Sequence, residues 1–115
     1  MEVVWSRLAR ETFAEVLQFI EEAQRAADSI IEYANLLGTF PRTGYVDELL
    51  STEETEVRLM NCRKSAIYYT IEDQTVIIVA IFDTRRNPAA IKEIIHSFLE
   101  ESDNGTFKVG SINSL

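Results

Sequence analysis

The run Val76-Ile77-Ile78-Val79-Ala80-Ile81-Phe82 has no polar residue on either of its alternating sets. A strand whose two faces are both apolar must be covered on both, so the run predicts a central strand. Ser65 to Ile71 precedes it across Glu72-Asp73-Gln74, a polar connection of hairpin length, and Val57 to Cys62 extends as a further strand before that. Behind the run come Asp83-Thr84-Arg85-Arg86-Asn87-Pro88, where Asn87 caps and Pro88 opens a helix with the apolar face Ile91, Ile94, Ile95 and Phe98. Two adjacent arginines therefore arrive at the end of a buried strand, just before a helix. A small scaffold can hold cations rigidly there.

Upstream, Glu2-Val3-Val4-Trp5 reads as a short first strand, and Ser6 stands as a helix N-cap. Phe13, Val16, Leu17 and Ile20 follow helical spacing, and Ala27, Ile30, Ile31 and Ala34 repeat it until Gly38, read as the C-cap. One helix from Arg7 to Leu37 would run on the order of 45 Å, long for such a chain, so a helical hairpin is expected although no Gly or Pro places the break. Phe40-Pro41-Arg42-Thr43-Gly44 ends the helical period, and Ser51 to Glu56 reads as a solvated connection without chemistry. Ser102-Asp103-Asn104-Gly105 stops the last helix. The final ten residues fit a frayed tail or one added edge strand.

The 115 residues, 46% of them apolar, match a single domain, with a core over about 2–101 and a tail over 102–115. No apolar stretch is long enough to cross a bilayer and the start lacks the order of a signal peptide, so a soluble cytoplasmic protein is expected. Cys62 has no partner in the chain and reads as a small strand residue. With 11 basic and 19 acidic residues, the formal charge of −8 argues against broad attraction to nucleic-acid phosphate. The charge is uneven, however. Arg58, Arg63, Lys64, Arg85 and Arg86 fall on the strands and their ends, whereas Glu11, Glu15, Glu21, Glu22, Asp28 and Glu32 lie in the helical half.

A strand, two helices and three consecutive strands form the layout of an α+β domain. In that order the chain resembles the RelE/ParE toxins of bacterial type II toxin–antitoxin systems, a family that includes plasmid stabilisation proteins. The resemblance runs from Val3 to about Ile95. It is carried by Val4-Trp5-Ser6 with Ala9, Ala26-Ala27, Leu37 before Phe40-Pro41 and Gly44, Val57-Arg58-Leu59, Ile67-x-Tyr69, and the apolar strand into Asp83-x-Arg85-Arg86-Asn87-Pro88. It implies a mainly antiparallel four-stranded sheet packed against a two-helix hairpin, with a C-terminal helix. It also implies a cytoplasmic growth inhibitor silenced by a cognate antitoxin, acting on DNA gyrase in ParE-like members or on messenger RNA in the ribosome in RelE-like ones.

Cleavage in the RelE manner needs a base, cations and an acid around the scissile phosphate. In this family the nuclease branch places an arginine where this chain has Ala66 and commonly a histidine where it has Asp83. A methyl group and a carboxylate cannot replace them, so ParE-like target binding ranks above endoribonuclease activity, with a non-toxic partner-binding member as a further reading. No catalytic residue is assigned. The candidate target-binding residues are Arg58, Arg63, Lys64, Asp83, Arg85 and Arg86, and Tyr45, Tyr68 and Tyr69 could stack on bases. Tyr69 alternates with Ile67 and Ile71, which points to core packing, and Tyr68 should face the other side of the sheet. His96 reads as a surface or boundary residue without ligand spacing, and no metal or cofactor motif is present. The Ile91-Ile94-Ile95-Phe98 face leaves a homodimer open as a second partner arrangement.

Overall fold

A computed structural model of the protein describes residues 1–101, which follow the order β1 (Glu2–Trp5), α1 (Arg7–Leu17), α2 (Ala23–Thr39), β2 (Tyr45–Val46), β3 (Arg58–Cys62), β4 (Ser65–Glu72), β5 (Thr75–Asp83) and α3 (Pro88–Glu101). The expectations for the tail lie outside the described residues. The strands form one sheet in the order β1-β5-β4-β3-β2, with β1 parallel to β5 and every other pair antiparallel.

Both faces of β5 are covered, as its apolar run requires. On one face Val76, Ile78 and Ile81 pack with Trp5, Ile67 and Tyr69 beneath Ala9 of α1 and Ile30, Ala34 and Leu37 of α2. On the other, Val79, Ala80 and Phe82 pack with Leu59, Ala66 and Tyr68 beneath Ile91, Ile95 and Leu99 of α3. Each of these sheet residues shields its neighbours from water, at roughly 1.5–3 kcal/mol for a fully buried large aliphatic or aromatic side chain.

The sheet has five strands rather than the four expected. The addition is β2, whose Tyr45 and Val46 pair with Leu59 and Arg58. Two residues cannot display an alternation, so the strand is held by contacts distant in sequence. The Tyr69 hydroxyl donates to the Pro41 carbonyl at 2.7 Å and accepts from the Gly44 N–H at 2.9 Å, fastening the loop that delivers β2. Gly44 leaves no room there for a side chain, because an added Cβ would stand 2.6 Å from the Tyr69 hydroxyl and 2.7 Å from the Leu59 carbonyl oxygen.

Strict alternation also fails inside β5. Ile78 and Ile81 share a face although they are three residues apart, and the adjacent Val79 and Ala80 share the other. A bulge is the cause, since Tyr68 pairs with Ala80 but Tyr69 pairs with Ile78, leaving Val79 as an extra residue. β1 ends opposite Ile78, so α1 takes over the exposed edge of β5. The Ser6 N–H donates to the Ile78 carbonyl at 3.0 Å, the Ser6 hydroxyl donates to the Val79 carbonyl at 3.0 Å, and Thr12 Oγ1 accepts from the Ile81 N–H at 2.9 Å. Ser6 Oγ also accepts from the Ala9 N–H at 3.0 Å, which is the expected N-cap.

The early helices are separate, as a hairpin requires. After Leu17 the backbone bonds change to i→i−3 and lengthen, from 3.2 Å at Gln18 to 3.5 Å at Ile20. An unbroken helix of roughly 45 Å would exceed the 38 Å long axis of the molecule and carry its apolar stripe off the sheet. Gly38 is not the C-cap, because α2 continues through Thr39. Its missing side chain instead admits the N-terminus. Met1 donates to the Gly38 carbonyl at 2.8 Å, and a Cβ on Gly38 would lie 2.7 Å from the Met1 carbonyl oxygen.

In the connection before β3, Thr52, Glu53, Glu54 and Glu56 are exposed, as its composition implies, while Ser51 anchors its start. The Ser51 hydroxyl donates to the Asp47 carbonyl at 2.8 Å and accepts from the Val57 N–H at 2.9 Å, closing a turn over buried Leu50. β3 then starts at Arg58, one residue later than expected.

Candidate functional site

The turn Arg63-Lys64 joins β3 to β4 directly, with Cys62 and Ser65 as the closing pair. Arg63 takes a φ of 58°, uncommon for a residue with a side chain, and the turn projects from the sheet beside the end of β5. The Thr84 N–H donates to the Lys64 carbonyl at 2.8 Å, so the turn and the β5–α3 loop are tied together. Arg63, Lys64, Asp83 and Arg85 thereby line one cleft of about 530 Å³, closed on its far side by Phe19, Glu21 and Glu22 from the α1–α2 connection.

Within that cleft Arg85 grips Asp83. Its Nε donates to Oδ1 at 3.0 Å, Nη2 donates to Oδ2 at 2.8 Å, and its own backbone N–H donates to Oδ1 at 2.8 Å. These side-chain and backbone hydrogen bonds hold the carboxyl well below its ordinary pKa of 3.8, at about 2. Asp83 is thus a fixed anion at neutral pH. Among the described residues Arg63 and Lys64 form no ion pair, and both are exposed.

Arg86 points elsewhere. Its guanidinium lies 5.1 Å from the Phe82 ring centroid and 3.9 Å from Glu15 of α1, at the rim of a groove on the α3 face of the sheet. The groove, about 480 Å³, has Leu59, Ala66 and Tyr68 along its floor and Tyr45, Leu49 and Lys92 around its rim. Ala66 is 3% exposed, so the methyl group at the position expected to carry a nuclease arginine is part of the apolar floor.

Arg58 is not brought to this end. It stands at the start of β3, four residues before Cys62, and its side chain is only 11% exposed. Nη1 donates to the Gly44 carbonyl at 2.7 Å and Nε to Glu56 at 2.9 Å, so its geometry serves the β2 loop. Of the six candidate target-binding residues, Arg58 therefore lies apart from the cleft that Arg63, Lys64, Asp83 and Arg85 line. Tyr69 is fully buried and Tyr68 lies on the opposite face, as their alternation implies, and burial raises both phenol pKa values.

Cys62 is buried and free, and burial pushes its thiol upward, opposite to what a nucleophile needs. His96 is half-buried on α3. Among the described residues no three His, Cys, Asp or Glu side chains converge as a metal ion would require, and no helix is long and apolar enough to cross a membrane. Phe19 was missed in the sequence because it falls off the apolar stripe of α1. That misfit was itself a signal, as was Asn61, the one exposed residue within β3.

Residues 3–88, from β1 to the first residue of α3, match the family model described as the ParE toxin of the type II toxin–antitoxin system parDE. The chain belongs to the ParE toxin family. A search of curated proteins returned no match. Family membership makes this a type II toxin with an antitoxin as its partner, on an α+β fold consistent with RelE/ParE architecture.

Proposed function

We propose that this ParE-family chain arrests growth by binding its target in the ParE manner, with DNA gyrase as that target, rather than by cutting messenger RNA. The observation that carries this reading is the Asp83–Arg85 pair. A proton-transfer group would stand at Asp83, but the carboxylate there stays ionised near pH 7 and occupies one of the nearby cations. Ala66, buried in the groove floor, leaves no second cation on the strand.

The charge of the cleft supports the same choice. Arg63, Lys64 and Arg85 are balanced there by Glu21, Glu22 and Asp83, a mixed surface that fits a protein partner better than a phosphate backbone. The contact with the target is made by Arg63, Lys64 and Arg85, with Arg86 at its edge, and the protein acts in the cytoplasm where that target resides.

Induced expression, supercoiling assays with purified gyrase and mapping of messenger RNA ends on ribosomes test the reading. Growth arrest with inhibited supercoiling and without codon-dependent cleavage is expected. Arg85→Ala combined with Arg86→Ala should relieve arrest while the melting curve keeps a single cooperative transition. Efficient cleavage at the ribosomal A site would overturn the proposal, and full toxicity in a folded double variant would remove the arginines from the mechanism.

A further inference from the structure

α2 carries more apolar surface than the core takes. Its buried side is formed by Ile30, Ala34 and Leu37, and Gly38 turns one flank toward Met1 and Val3 of the β1 edge. At about 100° per residue, Tyr33, Leu36 and Phe40 fall together on the opposite flank, within about 60° of one another. They are 39%, 47% and 61% exposed, so a stripe of three large side chains is left in water along the second half of the helix.

The far end of the stripe is held firmly. The Phe40 carbonyl accepts from the Thr43 N–H at 3.2 Å and from the Thr43 hydroxyl at 2.8 Å, while the Pro41 carbonyl accepts from the Tyr69 hydroxyl. A bonded turn therefore presents Phe40 to solvent, and the same turn carries the exposed Arg42. At the near end Glu32 stands beside Tyr33, also exposed. Among the described residues neither Arg42 nor Glu32 forms an ion pair.

The arrangement is close to symmetrical about Leu36, with Tyr33 three residues before it and Phe40 four after. Two copies of α2 laid antiparallel and crossing at Leu36 would place Phe40 of each against Tyr33 of the other. The same operation brings Arg42 of each copy close to the level of Glu32 in the other, since they lie six residues after Leu36 and four before it. An unpaired cation at one end and an unpaired anion at the other suit a two-fold contact, because each pairing is then made twice.

We propose that this stripe is the contact between two copies of the chain, α2 against α2 in antiparallel, with the two-fold axis at Leu36. It goes beyond the toxin reading and does not depend on it. The apolar face of α3 does not serve the purpose, since Ile91 and Ile95 are spent against the sheet. The stripe begins just beyond Ile30, where α2 leaves the cleft, so the contact lies further along the helix than the candidate site. Three apolar residues a side make a small interface, and a charge of −8 on each copy opposes it, so the dimer is reversible and concentration-dependent.

Sedimentation of the full chain over a range of concentrations is the test. The mass should rise from 13.1 kDa toward twice that value between micromolar and millimolar protein. Leu36→Glu sets two carboxylates face to face on the axis and should leave a monomer throughout, with an unchanged unfolding midpoint because Leu36 is half exposed. Arg42→Glu and Glu32→Arg should each weaken the dimer by roughly fivefold or more, and the two together should restore it, since the swap returns both pairings. A dimer indifferent to Leu36→Glu would place the contact on another face and overturn the proposal. Failure of the paired swap to restore a dimer that each single change weakens would overturn the antiparallel arrangement and the proposal with it. A parent chain that stays at 13.1 kDa, with its Leu36 methyl signals moving only when the protein encoded beside it is added, would give the stripe to that partner and also overturn it.

Discussion

The Thr12 hydroxyl oxygen accepts a hydrogen bond from the Ile81 N–H at 2.9 Å across 69 positions of sequence, and its own hydrogen is directed at the Leu8 carbonyl at 2.8 Å. Thr12 thus joins a helix interior to the part of β5 that has outrun β1. This contact and the two made by Ser6 let the sheet continue past its short edge strand to the turn where the candidate site begins.

Replacing that hydroxyl with a methyl group should show its weight. Thr12→Val strands a buried N–H and is expected to cost about 1–3 kcal/mol in urea unfolding at unchanged m-value, while Thr12→Ser should retain most of the stability. Equal stability of the valine and serine variants would mean that Ile81 finds another acceptor.

The Tyr69 hydroxyl gives a second measurable link. Tyr69→Phe removes both a donor to Pro41 and an acceptor for Gly44, with an expected loss of about 1–3 kcal/mol. Gly44→Ala should destabilise by a comparable amount, about 1–3 kcal/mol, because its Cβ meets a backbone oxygen and a buried ring. Amide exchange in the variants should accelerate first around β2.

Asp83 should titrate abnormally. Its carboxyl carbon, followed by NMR, is expected to show a midpoint at about 2, returning toward the ordinary 3.8 in Arg85→Ala. Because the folded value lies below the unfolded one, the pair adds stability above about pH 4 and loses that contribution as the pH falls toward 2. Arg85 is fully exposed, so the effect on global unfolding should be small and screened by salt. A normal midpoint in the parent chain would dissolve the argument that Asp83 is a permanent anion.

Cys62 offers a check on the core. Buried beneath α2 and with its thiol pKa raised chiefly by desolvation, it should react slowly with a thiol reagent in the native protein. In denaturant one equivalent should react at once, matching the one cysteine of the chain. Rapid native labelling would place Cys62 at an open surface.

Periodicity and punctuation alone located β5 inside the sheet with both faces covered, α1 capped by Ser6, and α3 opened by Asn87 and Pro88, because each is set by a local pattern of burial or backbone bonding. The junction from Asp83 to Arg86 was legible for the same reason. Tertiary structure decided the remainder. β2 exists only because Tyr69 and Arg58 hold its loop, and the bulge at Val79 is invisible in a run where every residue is apolar. The division of the arginines is likewise a matter of the fold: β3 sets Arg58 and Arg63 at opposite ends, one bound to Gly44 and the other beside Arg85. Residue type supplies charge, but only strand register determines which charges meet.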